Sequence, residues 1–147
     1  MDGIDLHTHT TASDGTLTPA ELVRAAREAG LRAVAVTDHD TVAGNAEALA
    51  TGAREGLEVV PGCEISADFD GGPMHILGYY LPQKPTRLLE VFDWLNSSRL
   101  ARNLEIVSRL QALGAEIEYP EVLARATGVV GRPHIARVLL DKGFVPS

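Results

Sequence analysis

The sequence predicts an α/β protein that opens as a βαβαβ unit with a parallel sheet. Three observations carry this. Short apolar segments of strand length alternate with longer stretches of helical periodicity over the first 64 residues. The helical stretches are bounded by recognisable start and stop signals. A chain of 147 residues with 45% hydrophobic and 22% charged residues also has the composition of one soluble globular domain.

Taken in order, the first strand is Ile4–His7, which runs into the polar stretch HTHTTASDG. In the following helix Thr18 supplies a capping hydroxyl, Pro19 fills the first helical position and Glu21 can reach back to the cap. Leu22, Val23, Ala26 and Ala29 form its buried stripe, and Gly30 stops it. Ala33–Thr37 is a continuous run of small apolar residues, suited to a parallel strand covered on both faces. An alanine-rich helix occupies about 43–55, with Gly52 as a weak point and Gly56 as its stop. The third strand is Leu57–Val60, continuing through Pro61-Gly62 into Cys63-Glu64.

The pattern then changes. Ile65–Phe69 and Met74–Leu81 flank Asp70-Gly71-Gly72-Pro73, a turn that joins antiparallel strands. After Pro82 and Pro85 a long helix is expected, with Leu88, Phe92, Leu95, Leu100, Leu104, Val107, Leu110 and Leu113 as its apolar positions and Gly114 as its end. Helices at about 120–126 and 133–142 complete the chain, the second opening at Pro133 and closing at Gly143.

Composition narrows the function. The apolar runs fall far short of the roughly 20 residues of a membrane span, and the N-terminus lacks a basic region followed by an apolar one, so a cytoplasmic protein is expected. One cysteine excludes both a disulfide framework and a four-thiolate zinc site; a metal must be held by imidazole and carboxylate. The net charge of −7 argues against duplex DNA as a partner. That charge is split, −9 over residues 1–80 and +2 over 81–147, which suits cations in one half and an anion gripped by the other.

In a parallel α/β sheet, sites assemble beyond the carboxyl ends of the strands. Here those ends are His7-Thr8-His9, Asp38-His39-Asp40 and Glu64. His7 and His9 stand two apart in an extended segment, so they point the same way and can share one ion, which Glu64 can bridge to a second. Plainer readings stand beside these. Asp40 reads as turn and cap chemistry, Asp38 as either a structural group or a carboxylate orienting an imidazole, and Asp14 in Ser13-Asp14-Gly15 as an ordinary turn. His75 alone reads as a half-buried strand residue and Cys63 as a core thiol. Arg132 and His134 read either as a solvated arginine and a first-turn histidine or as an anion site, since Gly131-Arg132-Pro133 places free backbone amides and a guanidinium at a helix N-terminus.

The segments HTHTTASDGTLTP, AVAVTDHDT, PGCEIS and HILGYYL, in that order, resemble the successive motifs of the PHP-domain phosphoesterases, the polymerase and histidinol phosphatase family. GRPHIARVL and the long helix resemble the inserted helical domain of the tryptophan-operon-linked branch, which includes nucleotide 3',5'-bisphosphate phosphatases and a 5'-3' exoribonuclease. The resemblance implies the N-terminal part of a distorted (β/α)7 barrel over residues 1–81 and a mostly helical, substrate-capping insertion over 82–147. It implies two or three divalent ions (Mn, Zn or Fe): His7, His9 and Glu64 on one, Glu64 and His75 on the second, Asp14 and His39 on the third. Arg132 and His134 would approach the phosphate of a nucleotide or short RNA, with metal-bridging hydroxide as the nucleophile.

Family members continue through further strands that supply another metal-binding histidine and a late Asp-x-His pair. This sequence stops at Ser147 with its five histidines already assigned, and a closed barrel usually needs more than about 200 residues. It therefore reads as the N-terminal half of such an enzyme. Two other readings keep the strand-end residues. A metal-dependent amidohydrolase often uses a carbamylated lysine as its bridge, but Lys84 and Lys142 lie away from the strand ends. A noncatalytic nucleotide- or metal-binding module is the reading for a naturally complete chain.

Overall fold

The computed structural model describes residues 3–82 and 86–146. Among them the strands form one four-stranded sheet in the order β1 (Ile4–Thr8), β2 (Ala33–Val36), β3 (Glu58–Phe69), β4 (Gly72–Tyr79). Helix α1 (Pro19–Glu28) links β1 to β2 and α2 (Asn45–Glu55) links β2 to β3, with both strand pairs parallel as expected. The helical part consists of α3 (Thr86–Ala112), α4 (Tyr119–Leu123) and α5 (Arg132–Asp141). Pro85 and Lys84 lie outside the described residues.

The sequence signals of the first half act as read. Thr18 Oγ1 accepts from Glu21 N–H at 3.3 Å while Glu21 Oε2 accepts from Thr18 N–H at 2.8 Å, and Gly30 leaves the helix at φ 75°. All four residues of β2 are buried, and Val34 and Val36 join Val23, Ala26, Ala48 and Leu57 in one core. Gly52 is not a weak point. A Cβ there would meet the Leu57 carbonyl oxygen at 2.7 Å and Val59 Cγ2 at 2.5 Å, so the missing side chain is what lets α2 lie against β3.

Two strand boundaries differ from expectation for a physical reason. β3 is continuous for 12 residues because its first part pairs parallel with β2 up to Pro61, and from Gly62 on it pairs antiparallel with β4. The hairpin turn is only Asp70-Gly71; Gly72 and Pro73 already belong to β4, where a proline is tolerated because β4 is an edge strand. Beyond β4, Tyr80 turns the chain at φ 56°.

The long helix buries a different stripe from the one its leucines suggest. Phe92, Leu95, Arg99, Asn103 and Val107 face inward, whereas Leu100 and Leu104 are 45% and 46% exposed. Phe92 and Leu95 pack with Cys63 of β3, while Val107 joins Ile117, Val122, Ile135 and Val138 in a second core with α4 and α5. The helical part is sutured to the β1–α1 loop at Val129 N–H to Ala12 O, 3.0 Å, and Thr127 Oγ1 to Thr11 O, 2.8 Å.

That loop is braced from beneath by Asp38, which is 1% exposed. Its carboxylate accepts from Thr10 N–H and Thr10 Oγ1, both at 2.7 Å, and from Ser13 Oγ at 2.6 Å. Asp38 is thus a structural anchor; among the described residues its carboxylate bonds Thr10 and Ser13 and no imidazole. Asp38→Ala leaves these donors buried without an acceptor, and a loss of at least about 3 kcal/mol in urea unfolding is expected. Gly52→Ala gains about 1 kcal/mol of helix propensity but overpacks a backbone carbonyl, and a net loss of about 1–2 kcal/mol is expected in the same measurement.

Candidate metal centre

The sheet register brings the predicted residues together. Glu64 sits just beyond the β2 pairing, where its N–H donates to Asp38 O at 3.1 Å and its carbonyl accepts from Asp40 N–H at 3.0 Å. Both backbone groups of Glu64 thus bracket His39, the residue it faces across an isolated parallel bridge. On the other side Glu64 pairs with Leu77, which makes His75 its diagonal neighbour, within reach of a long side chain. The pairing of β1 with β2 shifts register between Asp5 and Thr8, and His7 and His9 emerge on the side facing Glu64.

Glu64 is the hub. Its side chain is 5% exposed, and Oε2 lies 2.8 Å from His7 Nε2, 3.0 Å from His9 Nε2 and 3.6 Å from His39 Nδ1. Its other oxygen lies 2.5 Å from His75 Nδ1. Asp14 closes the far end, 3.5 Å from His9 Nδ1 and 3.7 Å from His39 Nε2. The imidazoles run in sequence His7, His9, His39, His75 with ring centroids 5.2, 4.7 and 4.9 Å apart.

Burial by itself would raise the Glu64 carboxyl, but the hydrogen bonds from His7 and His75 counter it, and the group is held below its ordinary range. Burial pushes His39 the other way, toward its neutral form, against the attraction of Asp14. A neutral imidazole and an ionised carboxylate are the states that ligate metals. Three interlocked sets keep their donor atoms within 4.8 Å of one another: His7, His9 and Glu64; His9, Asp14 and His39; His39, Glu64 and His75. His39 Nδ1 is buried with no hydrogen-bond partner among the described residues, a donor position that an ion would satisfy. The residues therefore fit divalent cations that accept nitrogen and oxygen ligands.

A cavity of about 370 Å³ lies over the cluster, lined by Asp14, His39 and His75 from the sheet rim and by Arg99, Arg102, Arg132, Pro133 and Ala136 from the helical part. Of the two residues read as phosphate contacts, Arg132 lines this cavity. Gly131 allows the approach: a Cβ there would come within 3.1 Å of Asp14 Oδ2. His134 is 9% exposed and is not among the lining residues; its Nδ1 accepts from Gly131 N–H at 3.0 Å, closing the first turn of α5. That bond fixes the neutral tautomer with its proton on Nε2.

Three residues escaped the sequence reading. Asp40 is not a helix cap: α2 begins after Gly44 with no side-chain cap, and Asp40 is fully buried, accepting from Ser66 and paired with Arg99. Arg99 and Arg102 line the cavity. The available signal was a charged residue, Arg99, at the position that continues the Phe92–Leu95 stripe. Cys63 is the core residue expected, with its thiol pushed up to about 11 by burial and by the nearby Asp40 charge.

Comparison with known proteins places these observations. Over 143 residues the chain is 38% identical to a 5'-3' exoribonuclease of Haemophilus influenzae, covering 97% of this chain and 52% of that protein. It is 33% identical over 147 residues to a 3',5'-nucleoside bisphosphate phosphatase of Chromobacterium violaceum, covering 99% of this chain and 52% of that protein. A crystal structure of a metal-dependent phosphoesterase from Bifidobacterium adolescentis superposes with a TM-score of 0.92 at 36% identity, over 99% of this chain and 52% of that one. The chain spans about half the length of these relatives. The PHP domain model matches residues 5–130, and the chain belongs to the PHP domain family.

Proposed function

We propose that this chain carries the N-terminal metal centre of a metal-dependent phosphoesterase that acts on a nucleotide 3',5'-bisphosphate or on the 5' end of a short RNA. The observation that carries the reading is one cavity in which a histidine–carboxylate cluster and three arginines meet. The cluster suits two or three cations of Mn, Zn or Fe: one on His7, His9 and Glu64, one on Glu64 and His75, one on Asp14 and His39. When bound, such ions polarise phosphoryl oxygens and activate water near neutral pH. The chain's own residues supply the rest. Glu64 would offer its two oxygens to two cation sites, Asp38 keeps the His9–Asp14 loop in place, and the Arg132 guanidinium at the start of α5 would bind the phosphoryl anion. His134, outside the cavity lining, takes the Gly131 N–H on Nδ1 and so fixes the turn that presents Arg132; its Nε2–H is the group that would meet a phosphate.

In this reading residues 1–81 are the first part of a (β/α)7 barrel and 82–147 an inserted helical cap. The exposed apolar side chains of the edge strands, Ile4 and Leu6 on β1 and Met74 and Ile76 on β4, suit cover by further barrel strands. The amidohydrolase reading is less favoured, since Glu64 fills the bridging place and Lys142 bonds Glu116 O and Glu121 on the helical part.

With Mn²⁺ present, the full-length protein is expected to release phosphate from adenosine 3',5'-bisphosphate, with kcat/KM reduced at least about 100-fold in His9→Ala. No release from any nucleotide, together with indifference to His9→Ala, overturns the reading and leaves a noncatalytic module. Chelation is expected to abolish activity and lower the melting temperature. Restoring metal at a hundredfold excess over its Kd should return about 2.7 kcal/mol of stability, measured by calorimetry.

A further inference from the structure

His7 and His9 reach one carboxylate because β1 is not a regular strand. From Asp5 to Thr8 it takes three residue steps where its partner β2, from Val34 to Val36, takes two. The extra residue is a β-bulge, uncommon in a parallel pair, and it falls in the segment that presents His7 and leads to His9. The local backbone bends accordingly, with the His7 N–H turned to Asp5 Oδ1 at 3.1 Å. Side chains alternate faces along a strand, so without the extra residue the following segment would turn over and His9 would leave the face on which Glu64 meets it.

A bulge disrupts the backbone ladder, and here a side chain takes the ladder's place. Thr8, the residue between the two histidines, donates its N–H to Thr37 Oγ1 at 3.1 Å, and the Thr37 hydroxyl donates back to Thr8 O at 3.0 Å. The Thr37 N–H reaches the same carbonyl at 2.9 Å, and Thr8 Oγ1 donates to Ala35 O at 2.5 Å. Both backbone polar groups of Thr8 are thus held by one residue, and Thr37 is 0% exposed. Its hydroxyl is aimed by packing on the other side: a Cβ at Gly62 of β3 would meet the Thr37 methyl at 3.1 Å, so the methyl fills the place that this glycine leaves. A valine here keeps that methyl and leaves the Thr8 N–H without its acceptor.

Resting on the metal centre of the phosphoesterase reading, we propose that Thr37 is a positioning residue of that centre, whose hydroxyl fixes the spacing and direction of His7 and His9 and so sets the affinity of the cation they hold with Glu64. It acts through the backbone of Thr8 rather than through either imidazole. Groups that orient metal ligands from behind in this way govern affinity nearly as strongly as the ligands do. The competing account is a threonine that only stabilises the junction of β1 and β2, and it makes a different forecast.

The test titrates the metal-free, full-length protein with Mn²⁺ alone in a calorimeter. His7→Ala identifies the site concerned, because His7 belongs to one of the three ligand sets and His9 to two. Thr37→Val is expected to weaken Mn²⁺ at that site at least about tenfold, and Thr37→Ser, which keeps the hydroxyl, by no more than about threefold. Val23→Ala opens a cavity in the core between α1 and β2 and lowers the melting temperature, with Mn²⁺ affinity expected within about twofold of wild type. A folded Thr37→Val with wild-type affinity, a Thr37→Ser as weak as the valine variant, or a Val23→Ala that loses as much overturns the proposal. If Thr37→Val does not fold, Thr37→Ala, which leaves room for a water where the hydroxyl was, takes its place in the same comparison. Failure of the phosphoesterase reading shows separately, as a wild type that binds Mn²⁺ at the His7-dependent site and hydrolyses no nucleotide phosphate; a wild type without that site overturns both.

Discussion

A carboxylate sealed in protein must be met by donors or cations, and the side chain of Glu64 is 5% exposed. The structure around it answers that demand. β1 and the residue just past it bring His7 and His9 to its oxygens, the segment after β2 brings His39 and β4 brings His75, and its backbone N–H and carbonyl hold His39 in register beside it. Displacing Glu64 by one residue along β3 would turn its side chain to the opposite face of the sheet and leave the imidazoles without a common partner. The position of β3 relative to both neighbours is therefore the constraint on which the centre depends.

The three residues Asp38, His39 and Asp40 divide the remaining work by direction. Asp38 points back into the β1–α1 loop and satisfies Thr10 and Ser13; His39 enters the cluster; Asp40 reaches across to Ser66 and Arg99. One short segment after a buried strand thus anchors the loop that presents His9 and Asp14, supplies a ligand, and ties the long helix to the sheet. This explains why the cavity is lined from both parts of the chain: the helical part is located by hydrogen bonds to the same rim that carries the histidines.

Much of the fold was legible in local sequence because its signals are local. A capping box, a proline at the first helical position and glycines at positive φ depend on residues within one turn of each other, so Thr18, Glu21, Gly30, Gly56 and Gly114 read correctly without any tertiary information. The strand-end histidines were legible for a related reason, since a parallel alternation of strand and helix sends every such end to one edge. Gly52 and Asp40 were not. Whether a glycine weakens a helix or permits a close approach depends on Val59 and Leu57 across the packing, and whether an aspartate caps a helix or holds an arginine depends on a helix some 59 residues further on.

The sequence by itself determined the elements, the chemistry of the donor set and the family. Residue type, spacing and order carry those properties, and one cysteine already confined any metal to imidazole and carboxylate. Tertiary structure decided which groups meet. It chose Arg99 and Asn103 over Leu100 and Leu104 for the inner face of α3, because a helix buries the stripe its neighbours can satisfy, and Asp40 and the Val130 carbonyl were there to satisfy a charge and an amide. Apolar periodicity alone cannot register that choice, since it counts the residues that avoid water and not the partners that make burying a polar one tolerable.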